Sequence, residues 1–229
     1  MKNIKPAPLL AFNAGYVDTL GFLSLHGLFT AHVTGNFVTI GAAMAQGATG
    51  ILTKLLALPV FCLVVILCRA ASHTMIARRL PDLRVLLWAK ILLLIFAAGL
   101  ALRFGPFANG DAPMTMLVGM VLVAAMAIQN ATHRMHMSAD APSTLMTGTT
   151  TQILLDSVDL MRSATVESRE KLRARWARLL TSLGSFATGC GIAAGACIYL
   201  GMAGFILPPV VAFLSWFAVE LGAGTEAKN

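Results

Sequence analysis

The chain has 229 residues, 57% of them hydrophobic and 12% charged, with 17 Lys and Arg against 10 Asp and Glu for a net charge of +7. Soluble domains carry about 25% charged residues, and the mean hydropathy here is +0.78, so a soluble fold is excluded. Nucleic-acid binding is excluded too, because the basic residues lie in short loops between apolar runs, where membrane orientation needs them, rather than on one face.

In chain order, Met1-Lys2-Asn3-Ile4-Lys5-Pro6 leads into an apolar run with no small-residue cleavage site, which reads as a retained first span. That span is roughly Leu9 to Leu28, enough to cross about 30 Å of hydrocarbon, and it carries Asn13, Asp18 and His26. A polar-punctuated element follows to about Gln46. The second span, Leu52 to Met75, contains Pro59, a predicted kink, and ends in Arg78-Arg79. Pro81 suits the first turn into the third span, Val85 to Leu102. A loop rich in Gly and Pro, Phe104 to Pro113, precedes the fourth span, Met114 to Ala131, which His133-Arg134-Met135-His136 closes. A second punctuated element runs to about Met161. The segment Arg162 to Arg178 is the most polar, with Arg162, Arg169, Lys171, Arg173, Arg175 and Arg178 against Glu167 and Glu170. Its early part reads as a surface loop and its later part as the start of a fifth helix continuing to about Tyr199. The sixth span is Ala203 to Val219, with Pro208-Pro209 near its start, and the tail from Glu220 reads as disordered. Cys62, Cys68, Cys190 and Cys197 all fall in apolar runs and read as buried free thiols, with no disulfide or metal pattern.

Basic residues set the orientation. Lys2 and Lys5 precede span one, Arg78, Arg79 and Arg84 separate spans two and three, and Arg134 with the large basic segment separates spans four and five. Arg103 and Asp111 cancel between spans three and four. The positive-inside rule then puts both termini in the cytoplasm.

The two punctuated elements are related. Phe29-Thr30-Ala31-His32-Val33-Thr34-Gly35-Asn36-Phe37-Val38-Thr39-Ile40-Gly41 is echoed by Ser143-Thr144-Leu145-Met146-Thr147-Gly148-Thr149-Thr150-Thr151-Gln152-Ile153-Leu154. In each, a lead suited to extended chain reaches Thr-Gly, then a polar residue suited to cap a helix (Asn36 or Thr149), then a short apolar helix. Each must enter and leave by one side of the membrane. The halves thus read as span, re-entrant element, span, span, twice over. With three crossings per half, the second copy is upside down. The predicted fold is an all-α membrane protein of about six transmembrane helices plus two re-entrant broken half-helices. It is an inverted-topology repeat of two three-span halves, 8–104 and 112–221, within a single integral membrane domain over 1–229.

Ala14-Gly15-Tyr16-Val17-Asp18-Thr19-Leu20-Gly21-Phe22 followed by Phe29-Thr30-Ala31-His32-Val33-Thr34-Gly35-Asn36 resembles the YoaK-like family of bacterial integral membrane proteins, whose function is unknown. Met146-Thr147-Gly148-Thr149, with Asp156 behind it, fits the same family, and the match covers nearly the whole chain. The resemblance implies a multi-pass protein of about six spans in the bacterial inner membrane. It implies neither a substrate nor an activity.

Candidate chemistry comes from the residues. Non-helical backbone survives in hydrocarbon only inside protein or beside water. A half-helix starting near the midplane aims free N–H groups and partial positive charge at that point. The candidate substrate-binding residues are therefore Thr34, Gly35, Asn36, Thr39, Thr147, Gly148, Thr149 and Gln152, a cradle for a small anion or a carboxylate. The glycines would permit the turn, and Gly35 and Gly148 would lie close together. The competing reading is that these residues only cap and pack. Asp18, about ten residues into span one, is a candidate ion-coupling group, or else a structural partner of Asn13, a re-entrant Thr hydroxyl or Arg69. Arg69 itself reads as snorkelling to the interface. Asp156 is a second coupling candidate, with a solvated interfacial role as its alternative. His26 and His32 read as hydrogen-bonded interface residues, and His133 and His136 as facing headgroups. The methionines read as packing. Gly184, Ser185, Ala187, Thr188, Gly191 and Gly195 give helix five a small-residue face for packing within the chain or for a homodimer.

No nucleotide, dinucleotide or zinc-protease motif occurs, and neither enzymatic activity nor a cofactor or metal is expected. The functional expectation is a small secondary transporter or channel with a midplane site between the two Thr-Gly half-helices, its partners being membrane lipids and a small solute or ion. The alternative is a non-transporting module, an assembly factor or sensor, whose cytoplasmic basic segment binds a partner or anionic lipid.

Overall fold

The computed structural model of the chain describes residues 6–138, 140–144, 146–162 and 166–226, with 166, 167 and 222–226 described as backbone only. Lys2, Lys5 and Leu145, which entered the orientation and motif readings, lie outside the described residues, as does the side chain of Glu167. Eight α-helices are described: α1 Pro6–Ser24, α2 Asn36–Gln46, α3 Ile51–Ala77, α4 Asp82–Phe104, α5 Pro113–His136, α6 Met146–Arg162, α7 Val166–Leu200 and α8 Leu207–Glu226. Val33–Gly35 and Gly201–Ile206 are 3₁₀ turns leading into α2 and α8.

Helix ends follow local chemistry. Gly47 closes α2 in the left-handed region (φ 63) and returns its N–H to Ala43, a glycine stop that satisfies an orphan carbonyl. Pro113 opens α5 at a position where a missing N–H costs nothing. The start of α3 is capped from a distance: Asp111 accepts the N–H of Gly50 at 2.8 Å and of Thr53 at 3.0 Å. Burial pushes the Asp111 carboxyl up, but these amides and the Thr53 hydroxyl outweigh it and hold the group below its ordinary range.

Helix α1 is the axis of the molecule. It packs most extensively on α7, then on α8, with α5 also against it, while α4 bridges α5 and α8. The α1–α7 crossing is backbone on backbone. A Cβ on Gly15 would stand 2.2 Å from the Phe186 carbonyl oxygen, and one on Gly189 would stand 2.2 Å from that of Phe12. Such an approach needs glycine on both helices.

Four described helical stretches are long and apolar enough to cross a membrane: Ile51–Ala77, Asp82–Phe104, Pro113–His136 and Ser168–Leu221, the last running through α7 and α8. Large apolar side chains line the outside, including Leu63, Ile66 and Leu67 on α3, Ile95 on α4 and Phe217 on α8. Soluble monomers rarely expose so continuous an apolar surface. The chain is a helical membrane protein. Helix α1 is not among the four because Asn13 and Asp18 dilute its hydropathy. It is enclosed by other helices, so its polar side chains meet protein rather than lipid.

Several expectations change. The first helix ends at Ser24, not Leu28, because the chain reverses through positive φ at His26 (55°) and Gly27 (80°). The lead of the first element is a series of bends ending in the Val33–Gly35 turn, not extended chain. Helix α6 starts at Met146, ahead of its Thr-Gly, so Thr149 lies inside the helix rather than at its N-cap. Helix α7 starts at Val166, within the supposed surface loop. The tail from Glu220 continues α8 to Glu226, and residues 227–229 lie outside the description. A Cβ on Gly184, Gly191 or Gly195 would meet nothing within 4 Å, so the close approach of helices that needs glycine is at Gly189 and not at these three.

Candidate functional site

After α1 the chain doubles back along it. Asp18 Oδ1 accepts the N–H of Thr30 at 2.7 Å, of Ala31 at 2.8 Å and of His32 at 3.4 Å, with the Thr30 hydroxyl also at 3.4 Å. The carboxylate is 5% exposed. It satisfies consecutive amides in a non-helical segment that would otherwise be buried without partners. The expected partner set is corrected accordingly: backbone amides dominate, Asn13 does not bond to Asp18, and Arg69 is exposed on α3.

Asn36 closes the same loop. Its Oδ1 accepts the Phe29 N–H at 2.9 Å and its Nδ2 donates to the Phe29 carbonyl at 2.8 Å. It is the first residue of α2 rather than its cap. The Phe29 ring lies against Gly35, where a Cβ would stand 2.9 Å from the ring. Gly35 has φ −62°, ordinary right-handed backbone, so the ring, not the turn, requires a small residue there. Thr39 donates to the Asn36 carbonyl at 3.3 Å, and Thr34 is exposed.

The second element is built differently at its start and similarly at its base. Beyond α5, Ser143 accepts from Gln129 Nε2 at 3.3 Å, Thr144 accepts from Asn130 at 3.0 Å, and Ser182 on α7 donates to the Pro142 carbonyl at 2.9 Å. In α6, Thr147 and Gly148 are exposed, Thr149 is buried, and Thr150 and Thr151 return their hydroxyls to the carbonyls four residues back. Asp156 is 0% exposed. Arg175 Nε donates to its Oδ2 at 2.8 Å, Arg175 NH2 pairs with its Oδ1, and Gln152 Nε2 donates to Oδ1 at 2.7 Å. The Arg175 guanidinium holds the Asp156 carboxyl below its ordinary range, against the opposing effect of burial. Asp156 thus docks α6 on α7 from a buried position.

Helix α2 packs on α3 and α6 on α7, and no packed α2–α6 interface exists among the described residues. The structure therefore groups Asp18 with Asn36, and Gln152 with Asp156, as two separate clusters. Among the histidines, His26 is hydrogen-bonded to the Phe107 carbonyl at 2.9 Å, in line with the hydrogen-bonded part of its reading, whereas His133 is buried rather than facing headgroups, and His136 lies 3.2 Å from Asp82.

One feature escaped the sequence reading. Lys90, inside α4, is buried and donates to Gln129 Oε1 at 2.5 Å. Its signal was present: a lysine in the middle of a membrane-length apolar run is a functional candidate by default. Among the described residues no three His, Cys, Asp or Glu side chains converge as metal ligands would.

Comparison with known proteins adds one relation. No curated protein and no solved structure matches the chain significantly. A family model does match, over residues 7–219, and the chain belongs to that family, described as "Protein of unknown function (DUF1275)".

Proposed function

We propose that the chain is a small secondary transporter or channel of the bacterial inner membrane, built from two halves of inverted topology and passing a small anion or a carboxylate-bearing solute. Each half runs span, short re-entrant helix, span, span: α1 to α4, then α5 to α8, with both termini cytoplasmic. The observation that carries this reading is the symmetry of the packing. Exchange α1 with α5, α2 with α6, α3 with α7 and α4 with α8. The α1–α7 pair becomes α5–α3, α4–α5 becomes α8–α1, α2–α3 becomes α6–α7, and α4–α8 maps onto itself; all these pairs are packed. Smaller details agree. Asp18 stands six residues before the end of α1 and Asn130 six before the end of α5, and each bonds to the loop that follows. Buried Asn36 and Ala43 on α2 correspond, at one constant offset, to buried Thr149 and Asp156 on α6. Inverted repeats with broken helices are a plan of secondary transporters.

In this reading Asp18, Asn36 and Asp156 hold the broken elements in shape. The exposed Thr34, Thr147 and Gly148 are the positions of the two Thr-Gly elements left open to a solute. Flux of chloride, acetate and zwitterionic amino acids into proteoliposomes tests it. Folded protein that passes none of them, across the pH range 5 to 8, would refute the transport reading.

The non-transporting alternative has one observation in its favour. An open cleft of about 580 Å³ between α6 and α7 carries Arg162, Lys171, Arg175 and Arg178 against Asp159. Such a cleft suits an anionic headgroup. Retention on vesicles of anionic lipid but not neutral lipid, lost with Arg162 and Arg178 neutralised, would support it.

A further inference from the structure

Lys90 has a buried amine, with no anionic partner among the described residues. It is 1% exposed, and its Nζ has one hydrogen-bond partner among the described residues, Gln129 Oε1. An ammonium has three N–H groups to place. Gln129 cannot accept more from it with its amide nitrogen, which donates to the Leu10 carbonyl at 2.8 Å and to Ser143. One turn beyond Leu10 on α1 stands Asn13, 0% exposed, with neither Nδ2 nor Oδ1 partnered among the described residues.

These groups share a depth. The start of α4 and the end of α5 meet where His136 lies 3.2 Å from Asp82, and Arg84 pairs with Glu220 of α8 at 2.7 Å on the same edge. From that edge Lys90 is about 12 Å down α4, while Gln129 is about 10 Å down α5, as is Asn13 from the start of α1. A pocket of about 210 Å³ opens there, lined by Ala7, Pro8, Asp140, Arg178, Thr181 and Ser182. Its lining borders the residues that hold Gln129. Ala7 is one turn before Leu10, and Ser182 holds Pro142, the neighbour of the Ser143 that bonds Gln129.

A buried charge is costly unless paired and hydrogen-bonded. Glutamine supplies one acceptor and no charge. A buried lysine either sheds its proton or finds a counter-charge, and a group that kept Lys90 protonated would be negative, small enough for a close-packed helix core, and able to accept from more than one donor.

We propose that Lys90 anchors a buried site for one small monovalent anion, a halide or a short carboxylate, with the Asn13 amide as its second donor and the pocket at Ser182 as its entrance. This rests on the transport reading above and names the solute's binding group.

Trp88, two residues from Lys90 and so on the opposite side of α4, packs tilted against Trp216 at 5.0 Å between ring centroids, so the thermal midpoint is the deciding readout. The purified protein in nanodiscs, in gluconate buffer, is titrated with sodium chloride and separately with sodium acetate, following tryptophan fluorescence and the thermal midpoint. The expected result is a saturable change with at least one of them, and which one responds separates halide from carboxylate. Lys90→Met should abolish it. Asn13→Leu should weaken it about 10-fold, the share of one hydrogen bond to a charged group, while its thermal midpoint is equal or higher, because two unpartnered polar atoms are removed. No saturable response below about 100 mM in folded protein, a range that covers any affinity of use to a transporter, would overturn the proposal. Unchanged affinity in Lys90→Met would do so too. If Lys90→Met does not fold, Asn13→Leu decides, with unchanged affinity again overturning it. Binding without flux would sink the transport reading and leave the site. Wild-type flux in Lys90→Met would sink the site and leave the transport reading.

Discussion

Removing the Asp18 carboxylate should release the loop that precedes α2. Two of its bonds are short, to the N–H of Thr30 at 2.7 Å and of Ala31 at 2.8 Å. Hydrogen bonds to a carboxylate contribute about 1.5–3 kcal/mol each, against about 0.5–1.5 for neutral ones. Asp18→Asn keeps an oxygen in place and exchanges two strong bonds for two ordinary ones, a loss of about 2 kcal/mol in all. Asp18→Ala removes the acceptor and leaves buried amides unpaired, at about 2 kcal/mol each, for a loss of about 4. In a chain of this size each kcal/mol moves the thermal midpoint by about 2–4 °C. The expected shifts are therefore downward by about 6 °C for Asn and about 12 °C for Ala. The assay is thermal unfolding in nanodiscs, with hydrogen exchange at Thr30 and Ala31 as the local readout. An Asp18→Ala protein with an unchanged midpoint and protected amides at both residues would refute this account. The coupling role gives a different signature. Asp18→Asn would then retain stability and lose the pH or sodium dependence of flux.

The α1–α7 crossing makes a paired test. Gly189→Ala should cost about 1–3 kcal/mol by forcing the helices apart, whereas Gly191→Ala, two residues along and facing open space, should be neutral or stabilising by up to about 1 kcal/mol; thermal midpoints of the two variants check this. Asp156 titrates lower in the folded chain than in the unfolded one. Its contribution is thus fully present above about pH 4 and is lost as pH falls through the depressed folded value. Hydrogen exchange in α6 should rise only below about pH 4, and Asp156→Asn should show raised exchange at neutral pH already.

Helices α3, α4 and α5 were legible to within a few residues because each is an uninterrupted apolar run bounded by Arg, Pro or Gly. The end of α1 was not, since Leu25 and Leu28 prolong the apolar run past a reversal whose sequence cue is Gly27 alone. The start of α6 was hidden by Thr147 to Thr151, a poor helical stretch on propensity. Packing on α7 and hydroxyl bonds from Thr150 and Thr151 to carbonyls one turn back keep it helical. The start of α7 looked like loop because it is polar on every side, yet it continues a membrane helix outward as a charged extension. Asp18 was legible as a buried acid, but its partners were not. They are amides 12 to 14 residues later, and no periodicity encodes where a non-helical segment folds back.

The glycine contact between α1 and α7 also sets a timetable for biogenesis. Cys190, beside that crossing, bonds the Gly15 carbonyl across a sequence separation of 175 residues. At a synthesis rate of about 5–20 residues per second, the partner of α1 emerges roughly 10–35 s after α1 itself. For that interval the least apolar span, bearing Asn13 and Asp18, lacks the helix that shields it. It must wait beside the insertion machinery or in water-accessible contact with it. Nascent chains stalled before α7 should therefore leave a cysteine at Ala11, one turn before Gly15 and 0% exposed in the fold, open to a water-soluble maleimide in a chain whose native cysteines are replaced, and chains stalled after α8 should not.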